Sequence, residues 1–163
     1  EPAEGDALLG IFLQEGRVRY TAGRYALTKF SVRLTRRQAA LREDLLDRFR
    51  QGGMEPEPME TVLSGLPLRD QPEARQVLES LLTGGDLVRL SPELCWHKDI
   101  WQTALEALQA LCAAEGTVTL AALRDALGTT RKYALLFLEA CDRRRITVRE
   151  GDLRRLDPEF LIK

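Results

Sequence analysis

The sequence is short of almost everything a catalytic centre needs. It carries one histidine, three cysteines and 6% aromatic residues among 163. His97 stands in Cys95-Trp-His97 immediately before a helix start, where packing or capping accounts for it better than catalysis or metal binding. Cys95, Cys112 and Cys141 are odd in number and include no CxxC pair, which argues against both a disulfide framework and a zinc site. No GxxxxGKS or GxxxxGKT loop occurs, so the sequence offers no phosphate cradle for a nucleoside triphosphate. No apolar run approaches the ~20 residues needed to cross a bilayer, and the acidic N-terminus lacks the basic-then-apolar order of a secretion signal. These absences predict a cytoplasmic, monomeric protein with no enzymatic activity and no membrane partner.

Net charge is also nearly missing, at −1, but its distribution is uneven. From Thr129 to the end there are nine Lys or Arg against six Asp or Glu, a net +3. From Ala40 to Ile100 there are seven against twelve, a net −5, and the first 39 residues carry seven against four, again +3. The middle repels phosphate, so any contact with a polyanion belongs to the ends.

What is present is a repeated order of helix and hairpin. Ala7, Leu8, Ile11 and Phe12 suggest a weak helix over Pro2–Leu13, followed by two short strands with a turn at Thr21-Ala-Gly23, a hairpin over 17–27. Thr35 to Gln38 fits a capping box, after which Leu41, Leu45 and Phe49 recur every fourth residue up to Gly52-Gly53. A short helix through Val62 and Leu63 is expected next, then one from Asp70 with the stripe Ala74, Val77, Leu78 and Leu81. A second hairpin spans 86–97. Asp99 to Gln102 repeats the capping-box pattern and opens a one-sided helix carrying Trp101, Ala104, Leu105, Leu108, Leu111 and Cys112. Thr119 is placed to cap a helix over Leu120–Ala126, and Leu127-Gly128 turns into the next one.

That next helix is the most informative element. Thr129 or Thr130 can cap it, which sets Arg131, Lys132 and Tyr133 in the first turn, where free backbone N–H groups favour phosphate. Cations there oppose the helix dipole, and an anionic ligand explains the misfit. Ala134, Leu135, Leu138 and Cys141 supply an inner face, leaving Lys132, Leu136, Glu139 and Arg143 away from it. Arg143, Arg144 and Arg145 close the helix, and Ile146–Arg149 and Leu153–Leu156 flank a turn at Glu150-Gly-Asp152, with Arg149 and Arg154 on facing strands. Tyr133 can stack on an unpaired base or pack on its own domain. Helix, strand, helix, turn, helix and hairpin make a winged helix. Hairpins near 17–27, 86–97 and 146–156 predict tandem units: a mainly α fold with small β wings, the first winged helix (1–34) incomplete, the second at 35–98, the third at 99–163.

The run Leu127-Gly-Thr-Thr-Arg-Lys-Tyr-Ala134, with Leu138-Glu139, Asp142-Arg143, Ile146–Arg149 and Gly151-Asp152, resembles the C-terminal winged helix of the bacterial selenocysteine-specific elongation factor, SelB. The resemblance implies that the last winged helix binds a messenger-RNA hairpin so that UGA is recoded as selenocysteine. The residues it assigns to RNA are Thr129, Thr130, Arg131, Lys132, Tyr133, Arg143, Arg144, Arg149 and Arg154. It implies no cofactor in this stretch, with GTP and magnesium in a preceding N-terminal part, and contact with ribosome and selenocysteinyl-tRNA through the full-length protein. Charge and periodicity alone leave two alternatives open, a tandem winged-helix DNA-binding transcription regulator and a protein-interaction scaffold.

Overall fold

The computed structural model describes residues 18–21, 24–27 and 34–162. Two compact units divide the chain, Glu1–Arg37 and Gln38–Lys163. In the first, strands β1 (Val18–Thr21) and β2 (Arg24–Leu27) pair antiparallel, with Val18 opposite Leu27 and Tyr20 opposite Tyr25. The expected hairpin is therefore present. The helix expected over Pro2–Leu13 lies outside the described residues.

Helix α1 (Arg36–Gly52) begins directly after Thr35 and buries Leu41, Leu45, Leu46 and Phe49, the face that the fourfold spacing marks out. A loop rich in Pro and Glu leads to α2 (Met59–Ser64), whose first amide donates to the carbonyl of Glu93 at 2.9 Å. Helix α3 (Gln71–Gly84) carries Pro72 in its first turn and buries Ala74, Val77, Leu78 and Leu81. It stops at Gly85, whose φ of 86° only glycine adopts without strain. Strands β3 (Leu87–Arg89) and β4 (Cys95–His97) then pair antiparallel, Val88 opposite Trp96.

Helix α4 (Lys98–Glu115) buries Ala104, Leu105, Leu108 and Cys112. It starts one residue ahead of Asp99, and the expected capping box is corrected. The imidazole Nδ1 of His97 accepts the Asp99 amide at 3.1 Å and caps the helix in place of a carboxylate. After β5 (Val118–Thr119), the Thr119 hydroxyl accepts from the Ala122 amide at 3.1 Å and starts α5 (Leu120–Leu127), as its position suggests. Helix α6 (Arg131–Arg143), strands β6 (Thr147–Glu150) and β7 (Leu153–Leu156), and the short α7 (Pro158–Ile162) complete the chain. Strand β7 lies between β5 and β6, so the last hairpin is built into a three-stranded sheet. The fold is mainly helical with small antiparallel wings.

Two apolar clusters fill the second unit, and the β3–β4 hairpin serves both. Leu87 and Cys95 belong to the first, with the inner faces of α1, α2 and α3; Leu90, Leu94 and Trp96 belong to the second, with α4, α5 and α6. Trp96 is fully buried, its ring centroid 5.4 Å from that of Phe137, and its Nε1 donates to the Met54 carbonyl at 3.1 Å. Trp101 meets the same Phe137 edge-on at 5.0 Å. Loss of the Trp96 side chain is expected to cost about 3–5 kcal/mol, because the cavity would open at the join between the two clusters.

Candidate nucleic-acid interface

The start of α6 is shaped by the end of α5. Gly128 takes a φ of 64°, and the amides of Gly128 and Thr129 return to the carbonyls of Asp125 and Arg124 at 3.3 and 3.2 Å. This closing motif turns the chain sharply, and Thr130 enters α6 in extended conformation. Its hydroxyl makes no capping bond, contrary to expectation. Among the described residues no side-chain oxygen therefore competes with an outside anion for the first-turn amides.

Arg131 and Lys132 are exposed beside those amides. Among the described residues no acceptor engages the Arg131 guanidinium. The Lys132 ammonium sits 5.2 Å from the centroid of the Tyr133 ring, a cation–π contact that orders it without consuming its hydrogen-bond donors. Tyr133 itself is half-buried, and its phenol donates to the Pro56 carbonyl at 3.2 Å. Thr129 donates to the Glu55 carboxylate at 3.4 Å. Of the two openings left to Tyr133 by its sequence, the structure takes packing.

At the other end of α6 the arginines have separate surroundings. Arg143 donates to the Leu90 carbonyl in the β3–β4 hairpin at 2.6 Å. The Arg144 guanidinium lies 5.1 Å from the Trp101 ring centroid. Arg145 takes a φ of 59°, the single non-glycine residue with positive φ among the described residues. The cause is the same closing motif as at Gly128: the Ile146 amide reaches back to the Cys141 carbonyl at 2.9 Å, and that of Arg145 to Asp142 at 3.2 Å.

In the wing, Arg149 and Arg154 are register partners, as expected. Arg149 is exposed, its Nε donating to the Gly151 carbonyl at 2.9 Å. Arg154 is not available to a ligand. It is 4% exposed, its Nε bonds the Asp142 carboxylate at 3.0 Å, and the Thr147 hydroxyl bonds the same carboxylate at 2.6 Å. A buried guanidinium must keep its counter-charge. Its assignment to RNA is corrected: Arg154 fastens the wing to the end of α6. Leu136, which the pattern leaves exposed, is half-buried against the second cluster, and Phe137, which the pattern does not mark, is fully buried at its centre. Both follow from α6 being covered on two sides, by its own domain and by the β3–β4 hairpin.

Sequence reasoning also missed a groove of about 500 Å³ lined by Arg89, Ser91, Pro92, Arg143 and Arg144. The net acidity of the middle segment hides Arg89, since a summed charge does not say where one cation points. No group of His, Cys, Asp and Glu among the described residues could hold a metal ion. Burial pushes the Cys95 thiol up to about 12, and Cys112 and Cys141 are raised by the same cause, so all three are protonated, unreactive packing groups. No helix among the described residues is long and apolar enough to cross a membrane.

Residues 110–156, which hold the whole of α6 and its wing, match the family model for the winged helix of elongation factor SelB. The match takes in under half of the chain. The SelB resemblance read from the sequence is thereby matched over the stretch that carries it. The chain is also similar in fold to a bacterial selenocysteine-specific elongation factor, at 21% identity and a TM-score of 0.61, over 91% of this chain and 23% of that one. It is similar to the mRNA-binding domain of elongation factor SelB from E. coli, solved in complex with SECIS RNA, at 22% identity and a TM-score of 0.57, over 76% of this chain and 99% of that one. The chain thus spans less than a quarter of the elongation factor it resembles and nearly all of the mRNA-binding domain. No curated protein matches the sequence. Within the matched stretch, the start of α6 is basic and exposed.

Proposed function

We propose that this chain is the RNA-binding region of a selenocysteine-specific elongation factor, gripping the selenocysteine-insertion hairpin of a messenger RNA so that UGA is recoded. The observation that carries the reading is the position of exposed Arg131 and Lys132 at an uncapped helix start inside the SelB-matched stretch. A-form RNA has a major groove too narrow for a helix, so α6 would present its start, not its side, to backbone phosphates. Arg131 supplies a forked, permanently charged donor set, Lys132 a point charge, and the first-turn amides fixed dipoles. Thr130 is exposed beside them, and Arg149 extends the contact onto the wing. Thr129, Tyr133 and Arg143 act from behind, holding α6 against the loop of Glu55 and Pro56 and against Leu90.

On this reading winged helices occupy residues 35–98 and 99–163, after a unit at 1–34 that carries its own hairpin, and the chain performs no reaction of its own. GTP, magnesium, selenocysteinyl-tRNA and the ribosome are partners of the full-length factor, which acts in the cytoplasm. Titration with an RNA hairpin and with duplex DNA of matched stem sequence tests the proposal. Salt-sensitive preference for the hairpin is expected; preference for the duplex would make the chain a DNA-binding regulator, and binding to neither a scaffold.

A further inference from the structure

The groove between the β3–β4 hairpin and the end of α6 has walls of an unusual kind. Of the five described residues that line it, three are arginines, drawn from two separate elements, and none is a carboxylate. Helix ends attract cations, which explains Arg143 and Arg144. Arg89 lies on a strand, where no dipole accounts for it. Each guanidinium is also held: Arg89 donates to the Pro92 carbonyl at 3.0 Å and lies 3.6 Å from the Glu79 carboxylate, Arg143 donates to Leu90, and Arg144 rests on Trp101. A guanidinium has five N–H donors, so these contacts fix orientation and leave others to offer. Ser91 accepts the amides of Glu93 and Leu94, which fixes the hairpin tip, and its own hydroxyl hydrogen stays available as a donor.

From this geometry we infer a second RNA-contact site: the groove receives the sugar-phosphate strand of the stem below the hairpin loop that Arg131 and Lys132 hold. The inference rests on the RNA-binding reading above. It extends that reading onto the middle hairpin, whose surroundings are acidic overall. Arginine stems and the Pro92 ring suit the apolar face of a ribose, and the guanidinium rims suit phosphate, a combination that fits a nucleotide chain better than a small free anion. Helix α6 has 13 residues, so its two basic ends stand about 18 Å apart along the axis. Phosphate charges recur every few ångströms along each strand of a stem, so one stem can engage both ends.

The test uses the whole 163-residue chain, two hairpins differing by one helical turn of lower stem, and the variants Arg89→Gln, Arg89→Lys and Arg131→Ala. The native chain is expected to bind the longer hairpin several-fold more tightly. Arg89→Gln should erase that preference and lower the salt slope for the longer hairpin by about 1, leaving the short hairpin unaffected, and Arg89→Lys should restore the slope. If Arg89→Gln melts early, Arg144→Gln serves in its place with the same expectation. Equal affinity of the native chain for the two hairpins, or an Arg89→Gln variant that keeps the preference, overturns the groove as a site. Arg131→Ala separates the two levels: if it weakens both hairpins while Arg89→Gln weakens neither, the groove alone fails. If the native chain binds neither, both fail together.

Discussion

The phenol of Tyr133 bonds the carbonyl of Pro56, 77 residues earlier in the chain. With Trp96 on Met54 and Arg143 on Leu90, it helps tie residues 38–163 into one compact unit, and it gives the Tyr133 phenol a partner within the protein. Tyr133→Phe should therefore cost about 0.5–1.5 kcal/mol of stability, the net worth of one hydrogen bond, and lower the melting midpoint by a few degrees. Hairpin affinity should stay within twofold. A large loss of affinity at unchanged stability would return Tyr133 to the RNA.

Arg154 and Asp142 make the opposite case, a predicted ligand contact that turns out to be structural. Arg154→Ala leaves the Asp142 carboxylate without its counter-charge, with only the Thr147 hydroxyl still bonded to it, and a loss of about 3 kcal/mol is expected in denaturant unfolding. The salt dependence of RNA binding should be unchanged in the folded fraction. A shallower slope with native stability would show that Arg154 reaches phosphate.

These two residues also mark how far the sequence could be read. The core stripes Leu41, Leu45 and Phe49 in α1 and Ala104, Leu105 and Leu108 in α4 were legible because helical spacing alone selects them. So were the three hairpins and the pairing of Arg149 with Arg154, which follow from turn residues and alternation. Alternation does not reveal that Asp142, twelve residues earlier on a helix, waits beneath Arg154. Nor does it reveal that the β3–β4 hairpin sends Cys95 to one core and Trp96 to another. Both depend on how finished elements meet in space.

Arg145 holds a left-handed backbone conformation that favours glycine. A side chain there costs on the order of 1 kcal/mol, part of which glycine returns through its freer unfolded state. Arg145→Gly should raise stability by about 0.5–1 kcal/mol, read as a higher urea midpoint at constant slope. A drop in stability would mean that the arginine side chain makes up for its backbone.

His97 links stability to pH. Burial holds its pKa below the ordinary value, Arg50 and Lys98 push the same way, and Asp99 and Asp86 oppose them. The folded state thus binds the proton less well than the unfolded chain. This contribution is fully present above about pH 6.5 and is lost as pH falls from there through the depressed folded value. His97→Asn keeps a capping group without a titrating ring, and it should flatten the stability profile between about pH 7 and pH 5. An unchanged profile would assign the acid sensitivity to other groups.

The central claim is that the exposed start of α6 holds RNA phosphate. The most direct measurement is the affinity of the native chain and of Arg131→Ala for the selenocysteine-insertion hairpin across a series of salt concentrations. For Arg131→Ala a loss of about 1–3 kcal/mol, a salt slope shallower by about 1, and an unaltered melting midpoint are expected. Equal affinity and equal slope for the two proteins would contradict it.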